Sequence, residues 1–145
     1  MRVLRHERGA VLMEAAITIP MLLLISVGIF EFGRAYQTWQ VLTNAVREGA
    51  RMAVVPTGDP DAVEARVRQY MEDGRLPLFA AADVQVDRDA AIVVNGVSES
   101  ASRVTVNYPF DFMVLQPVAR LVAPNTQAGE PITLNASTLM RNETQ

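Results

Sequence analysis

Ala10-Val11-Leu12-Met13-Glu14-Ala15-Ala16-Ile17-Thr18-Ile19-Pro20-Met21-Leu22-Leu23-Leu24-Ile25-Ser26-Val27-Gly28-Ile29-Phe30 decides the reading of this chain. The stretch is apolar except for Glu14, Thr18 and Ser26, and it carries no charge from Ala15 to Phe30. Its 21 residues match the roughly 20 that a helix needs to cross about 30 Å of hydrocarbon. The flank before it holds Arg2, Arg5 and Arg8 against one acid, Glu7. The positive-inside rule therefore puts residues 1–9 in the cytoplasm and the chain beyond Phe32 outside. A secretory signal would have a shorter apolar region, a small-residue cleavage site and no acid near its start. A buried core helix is the other alternative, and a single-pass anchor fits the pattern better.

Working outward, the apolar run gives way to helical periodicity. Phe32, Ala35, Tyr36, Trp39, Leu42, Thr43, Val46, Ala50 and Ala53 fall on one face. Glu31, Arg34, Gln37, Gln40, Asn44, Arg47, Glu48 and Arg51 fall on the other, with Glu31–Arg34 and Glu48–Arg51 spaced i,i+3. No Pro interrupts before Pro56, so one helix is expected from about Val11 to Val54, roughly 65 Å long. Pro20 should bend or loosen it, which membrane helices tolerate. The charged face, Glu31, Arg34, Arg47, Glu48 and Arg51, reads as a solvated helix surface or, alternatively, as a surface for partner contact.

Beyond the helix, Pro56-Thr57-Gly58-Asp59-Pro60 is a breaker followed by a helix start, with Asp59 as N-cap and Pro60 at the first helical position. Val63, Val67, Tyr70 and Met71 give that helix an apolar stripe ending before Gly74. Strand-like runs follow at Val84-Gln85-Val86, at Ala91-Ile92-Val93-Val94, from Arg103 to Tyr108 and from Ile132 to Leu139, with Asn95-Gly96 as a turn. Phe112 to Val122 reads as a short helix packing on the sheet, weakened by Pro117. The expected class is α+β. A long N-terminal helix, transmembrane then amphipathic, precedes a small head with a short helix and an antiparallel sheet of three to four strands.

Composition excludes several functions. The chain has 145 residues, about one domain's worth, half of them hydrophobic and a fifth charged. A formal charge of −3 gives no broad basic footprint, so no nucleic-acid partner is expected. With no Cys, disulfides, thiolate metal sites and thiol nucleophiles are absent. With no Lys, so are a Schiff base and a phosphate-loop lysine; the sole His is His6. Asp83, Asp87 and Asp89 lack the Gly and distal Glu of an EF-hand loop and read as a polar turn. Ser98, Ser100 and Ser102 read as a loop without a His to act as base. Asn135-Ala136-Ser137 and Asn142-Glu143-Thr144 match a glycosylation pattern that has no meaning in most bacteria. No enzyme, cofactor or metal site is expected.

Glu14 resists a bland reading. A carboxylate inside a membrane segment is costly unless paired, which makes it a functional candidate. A cut after Gly9 would give Ala10 a new α-amine one helical turn from Glu14, on the same chain or a neighbouring one. The alternative is an acid tolerated at headgroup depth. Arg8-Gly9 followed by Glu14 resembles the leader and cleavage site of type IV prepilins. Gly28-Ile29-Phe30-Glu31-Phe32-Gly33-Arg34-Ala35-Tyr36 and Leu42-Thr43-Asn44-Ala45-Val46-Arg47-Glu48-Gly49-Ala50-Arg51 then resemble the TadE-like family, minor pilin-like proteins of tight-adherence (Tad or Flp-type) pili. The resemblance spans residues 8–51, with a weaker echo from Ile132 to Ser137 and at Met140-Arg141.

The resemblance implies a precursor cut between Gly9 and Ala10 by a prepilin peptidase. It implies a division into a leader (1–9), a long helix (10–55, transmembrane in 10–30) and a small extracytoplasmic head (56–145). It further implies a single-pass inner-membrane protein that acts as a structural subunit with other pilins and pseudopilins, in the pilus or at its base. Glu14 would be the charge-pairing residue of assembly. The alternatives are a pseudopilin of a type II secretion system and an anchored envelope binding module that does not assemble.

Overall fold

A computed structural model describes residues 4–56, 58–122, 127 and 129–143. Arg2 and Thr57, and Thr144 of the glycosylation pattern, lie outside the described residues. The elements run α1 (Leu4–Ala53), α2 (Pro60–Asp73), β1 (Asp83–Val94), β2 (Val97–Phe110), α3 (Leu115–Val122) and β3 (Ile132–Arg141). The expected α+β class is observed: a long apolar N-terminal helix, a short helix and a three-stranded antiparallel sheet ordered β1-β2-β3. α1 begins seven residues earlier than the apolar pattern alone suggests and continues through Pro20. The chain divides into two compact units, residues 1–34 with 112–129, and residues 35–111 with 130–145.

In the larger unit local signals start and stop the elements. Asp59 caps α2 by accepting from the Asp61 N–H at 3.2 Å, with Pro60 in the first turn. Val63, Val67 and Met71 form the buried stripe of α2. Asn95 and Gly96 both take positive φ, 52° and 82°, and join Val94 to Val97 as a two-residue hairpin turn. Val104, Val106, Tyr108 and Phe110 of β2 face the core. The opposite face carries Thr105 bonded to Ser137 (2.9 Å) and a row from Asp83 through Asn107 (3.2 Å) to Asn135 (2.7 Å). One face dry and one wet is the usual state of an antiparallel sheet.

Several expectations are corrected here. The runs at 84–86 and 91–94 are one strand, because a register shift between Asp87 and Ala90 lets β1 continue past a polar interruption. Asp83, Asp87 and Asp89 therefore lie on a strand rather than in a turn. Ser98, Ser100 and Ser102 belong to β2, and Ser102 is fully buried. α3 groups with residues 1–34 in the smaller unit, apart from the unit that holds the sheet.

The buried face of α1 is also rotated from the expected one. Thr38, Leu42, Ala45, Val46, Ala50 and Ala53 are buried, while Phe32, Tyr36 and Trp39 are 74%, 61% and 43% exposed. Small residues explain the rotation. A side chain at Gly49 would run into the side chain of Val67 and crowd that of Val104, so α1 approaches α2 on its Ala/Gly edge, not its aromatic one.

The end of α1 is closed by side chains from far along the chain. Arg88, at the register shift, donates to the carbonyls of Val55 (3.0 Å), Pro56 (3.4 Å) and Gly58. The Ser102 hydroxyl lies 3.3 Å from the Ala53 carbonyl, and the Glu143 N–H donates to Val54 at 3.1 Å. Asn142 ties the group together through Ser100 (2.7 Å) and Ser102 (2.6 Å). The last carbonyls of a helix need such donors.

Candidate functional site

The residues singled out by the sequence lie along α1. Gly9, Ala10 and Glu14 are exposed on its first turns. No neighbouring atom lies within 4 Å of where a Gly9 side chain would begin. The helix includes Arg5 and Arg8. The Thr18 hydroxyl donates to the Glu14 carbonyl at 2.8 Å, and that of Ser26 to Leu22 at 2.8 Å, so both polar side chains are satisfied inside the helix. Among the described residues Glu14 is in no ion pair.

From Val11 to Phe30 the large apolar side chains are exposed: Leu12 at 71%, Ile17 at 69%, Leu23 at 61%. The most apolar window has a mean hydropathy of 2.2, and none of it is buried against the rest of the chain. A soluble protein's core helix would be covered by its own chain. This one is not, so its length and apolarity suggest a membrane anchor.

Residues 9–51 match the family model for TadE-like protein. The TadE-like stretch, 43 residues from Gly9 to Arg51, includes the exposed apolar run and the packed second half of α1. The match suggests an association with Tad pili. No curated protein and no solved structure matches the chain.

The charged residues of the TadE-like helix separate into three situations. Glu31, expected on the solvated face, is 1% exposed. It accepts from the N–H groups of Val114 and of Leu115 (3.3 Å), the start of α3, and pairs with Arg34 at 2.7 Å. Burial pushes the Glu31 carboxyl up, but the two N–H donors and the Arg34 guanidinium outweigh it and hold it below the usual carboxylate value. Gly129, at φ 80°, lies so close to the backbone of Leu115 and Gln116 that no side chain would fit there. Glu48 is half-buried and pairs with Arg66 of α2 at 3.3 Å, replacing the expected Arg51 contact. Arg47 and Arg51 are exposed.

Sequence reasoning missed Arg88, Ser102 and Asn142 at the end of α1 and the role of Glu31. None has a local signal, since their partners lie 30 to 84 residues away. A shallow cleft beside the clamp is lined by Arg88, Glu99, Arg141 and Asn142, but its groups already engage one another, with Glu99 and Arg141 at 2.9 Å.

Proposed function

We propose that the chain is a minor pilin-like structural subunit of a Tad-type pilus, made as a precursor and anchored by the first half of α1. The observation that carries this reading is an uncovered apolar helix that begins within the TadE-like stretch and holds one acid, Glu14, four residues after Ala10. In this reading a prepilin peptidase cuts between Gly9 and Ala10. Arg2, Arg5 and Arg8 keep the leader in the cytoplasm, and the head lies on the other side of the inner membrane. Glu14 then meets the new α-amine of an adjacent subunit, because a carboxylate in hydrocarbon is stable only beside a positive group. Neighbouring pilins, sharing the same anchor geometry, supply that partner in register. Arg47 and Arg51 extend the contact surface beyond the membrane.

Intact mass and N-terminal sequencing of membrane-extracted protein test the reading. The expected mature chain is 136 residues, 145 minus the 9 of the leader, beginning Ala-Val-Leu-Met-Glu. Gly9→Leu should leave the precursor uncut. A chain that still starts at Met1, or one cut beyond Pro20, overturns it.

A further inference from the structure

Glu31 is the first charged residue after an uncharged run that began at Ala15. If residues 10–30 span the hydrocarbon, about 1.5 Å per residue puts Glu31 at its boundary with the headgroups. A carboxylate is expensive at that depth. The structure offsets this with the first N–H groups of α3, which point at Glu31, and with Arg34. The same bonds that solvate Glu31 therefore fix the depth of α3.

What α3 presents at that depth is apolar. Met113 is 62% exposed and Val118 36%, and Phe30 and Phe32 on the neighbouring helix are 51% and 74% exposed. By helical spacing Leu115 and Val118 share one side of α3, while Gln116 and the exposed Arg120 share another. An apolar side with a cationic edge, held at the end of a membrane span, is the pattern of a helix lying in a phospholipid surface.

We infer that Met113 and α3 form an interfacial element seated in the headgroup region of the bilayer leaflet next to the head, with Glu31 as its tether. The occupant of this exposed apolar surface is lipid, as continuity with the uncovered apolar span requires. Tethered in this way, α3 sets how deeply α1 sits in the membrane. The inference rests on the anchor reading, and its test separates the two.

The chain has no Cys, so single cysteines can be introduced without other changes. Met113→Cys, Val118→Cys, Leu22→Cys and Val93→Cys, each carrying a nitroxide, are reconstituted as full chains into phosphatidylethanolamine/phosphatidylglycerol vesicles. Accessibility to oxygen is then compared with accessibility to a water-soluble nickel complex. Val93, 71% exposed on β1, is the aqueous reference, and Leu22 reports the span. The expected result is a several-fold higher oxygen-to-nickel ratio at 113 and 118 than at 93, lower than at 22. Glu31→Ala should shift the ratio at 113 toward that at 93. A lipid signal at 22 with an aqueous one at 113 and 118 overturns the inference and leaves the anchor standing. An aqueous signal at 22 overturns both. Labels at 113 shielded from both probes and broadened by one another would show a second copy on this surface, which also overturns it.

Discussion

The two halves of α1 both carry large apolar residues, and these end in different surroundings. In the first half Leu22 is 58% exposed and Leu23 61%; in the second, Leu42, Val46 and Ala50 are fully buried. Both halves are continuous helix, so backbone preference does not distinguish them. The difference lies in what borders the apolar residues. Between Ala15 and Phe30 no charge breaks the surface, the hydroxyls of Thr18 and Ser26 are bonded within the helix, and no face is marked as inner or outer. After Glu31 charges return on one side, and Gly49 and three Ala let α2 and β2 close on the other. An apolar helix without a polar side is a surface for lipid; one with a polar side and a small-residue edge is a surface for its own chain.

That contrast can be broken by substitution. The largest effect expected is on assembly. Glu14→Ala, in the first half, should leave membrane insertion and head unfolding unchanged but abolish co-purification with other pilins. Piliation and recovery equal to the parent would reduce Glu14 to an interfacial residue. Next in size is a paired stability test. Leu42→Ala should destabilise the head by about 2–5 kcal/mol, as filled core positions do, whereas Leu22→Ala should leave its thermal unfolding in detergent unchanged. Equal losses at both positions would mean that the first half is also packed on its own chain.

The smallest effect concerns the boundary between the halves. Because the folded Glu31 carboxyl titrates below the usual carboxylate value, its contribution to holding α3 is fully present above that usual value. It is lost as pH falls through the lower, folded value. Hydrogen exchange at Val114 and Leu115, corrected for its intrinsic pH dependence, should therefore accelerate on acidification. In Glu31→Gln the protection should be weaker by about 1–2 kcal/mol and independent of pH over the same interval. Unchanged protection in Glu31→Gln would show that α3 is held by packing alone.

Much of the architecture was legible without coordinates wherever the signal is local. The uncharged run from Ala15 to Phe30, the Asp59-Pro60 helix start, the Asn95-Gly96 turn and the β-rich runs each depend on neighbours a few residues apart, and each is found in the fold. Tertiary structure alone decided which side of α1 turns inward. The aromatic and the Ala/Gly edges have the same helical period, and only the fit of Gly49 against Val67 chooses between them. It alone decided that Asp87–Asp89 interrupts a strand without ending it, because β2 supplies pairing on both sides of the irregularity. It also turned Glu31 from a surface charge into the buried tether of α3. A side chain's polarity is written in the sequence, but its solvent is set by segments that fold back from 83 and 84 residues away.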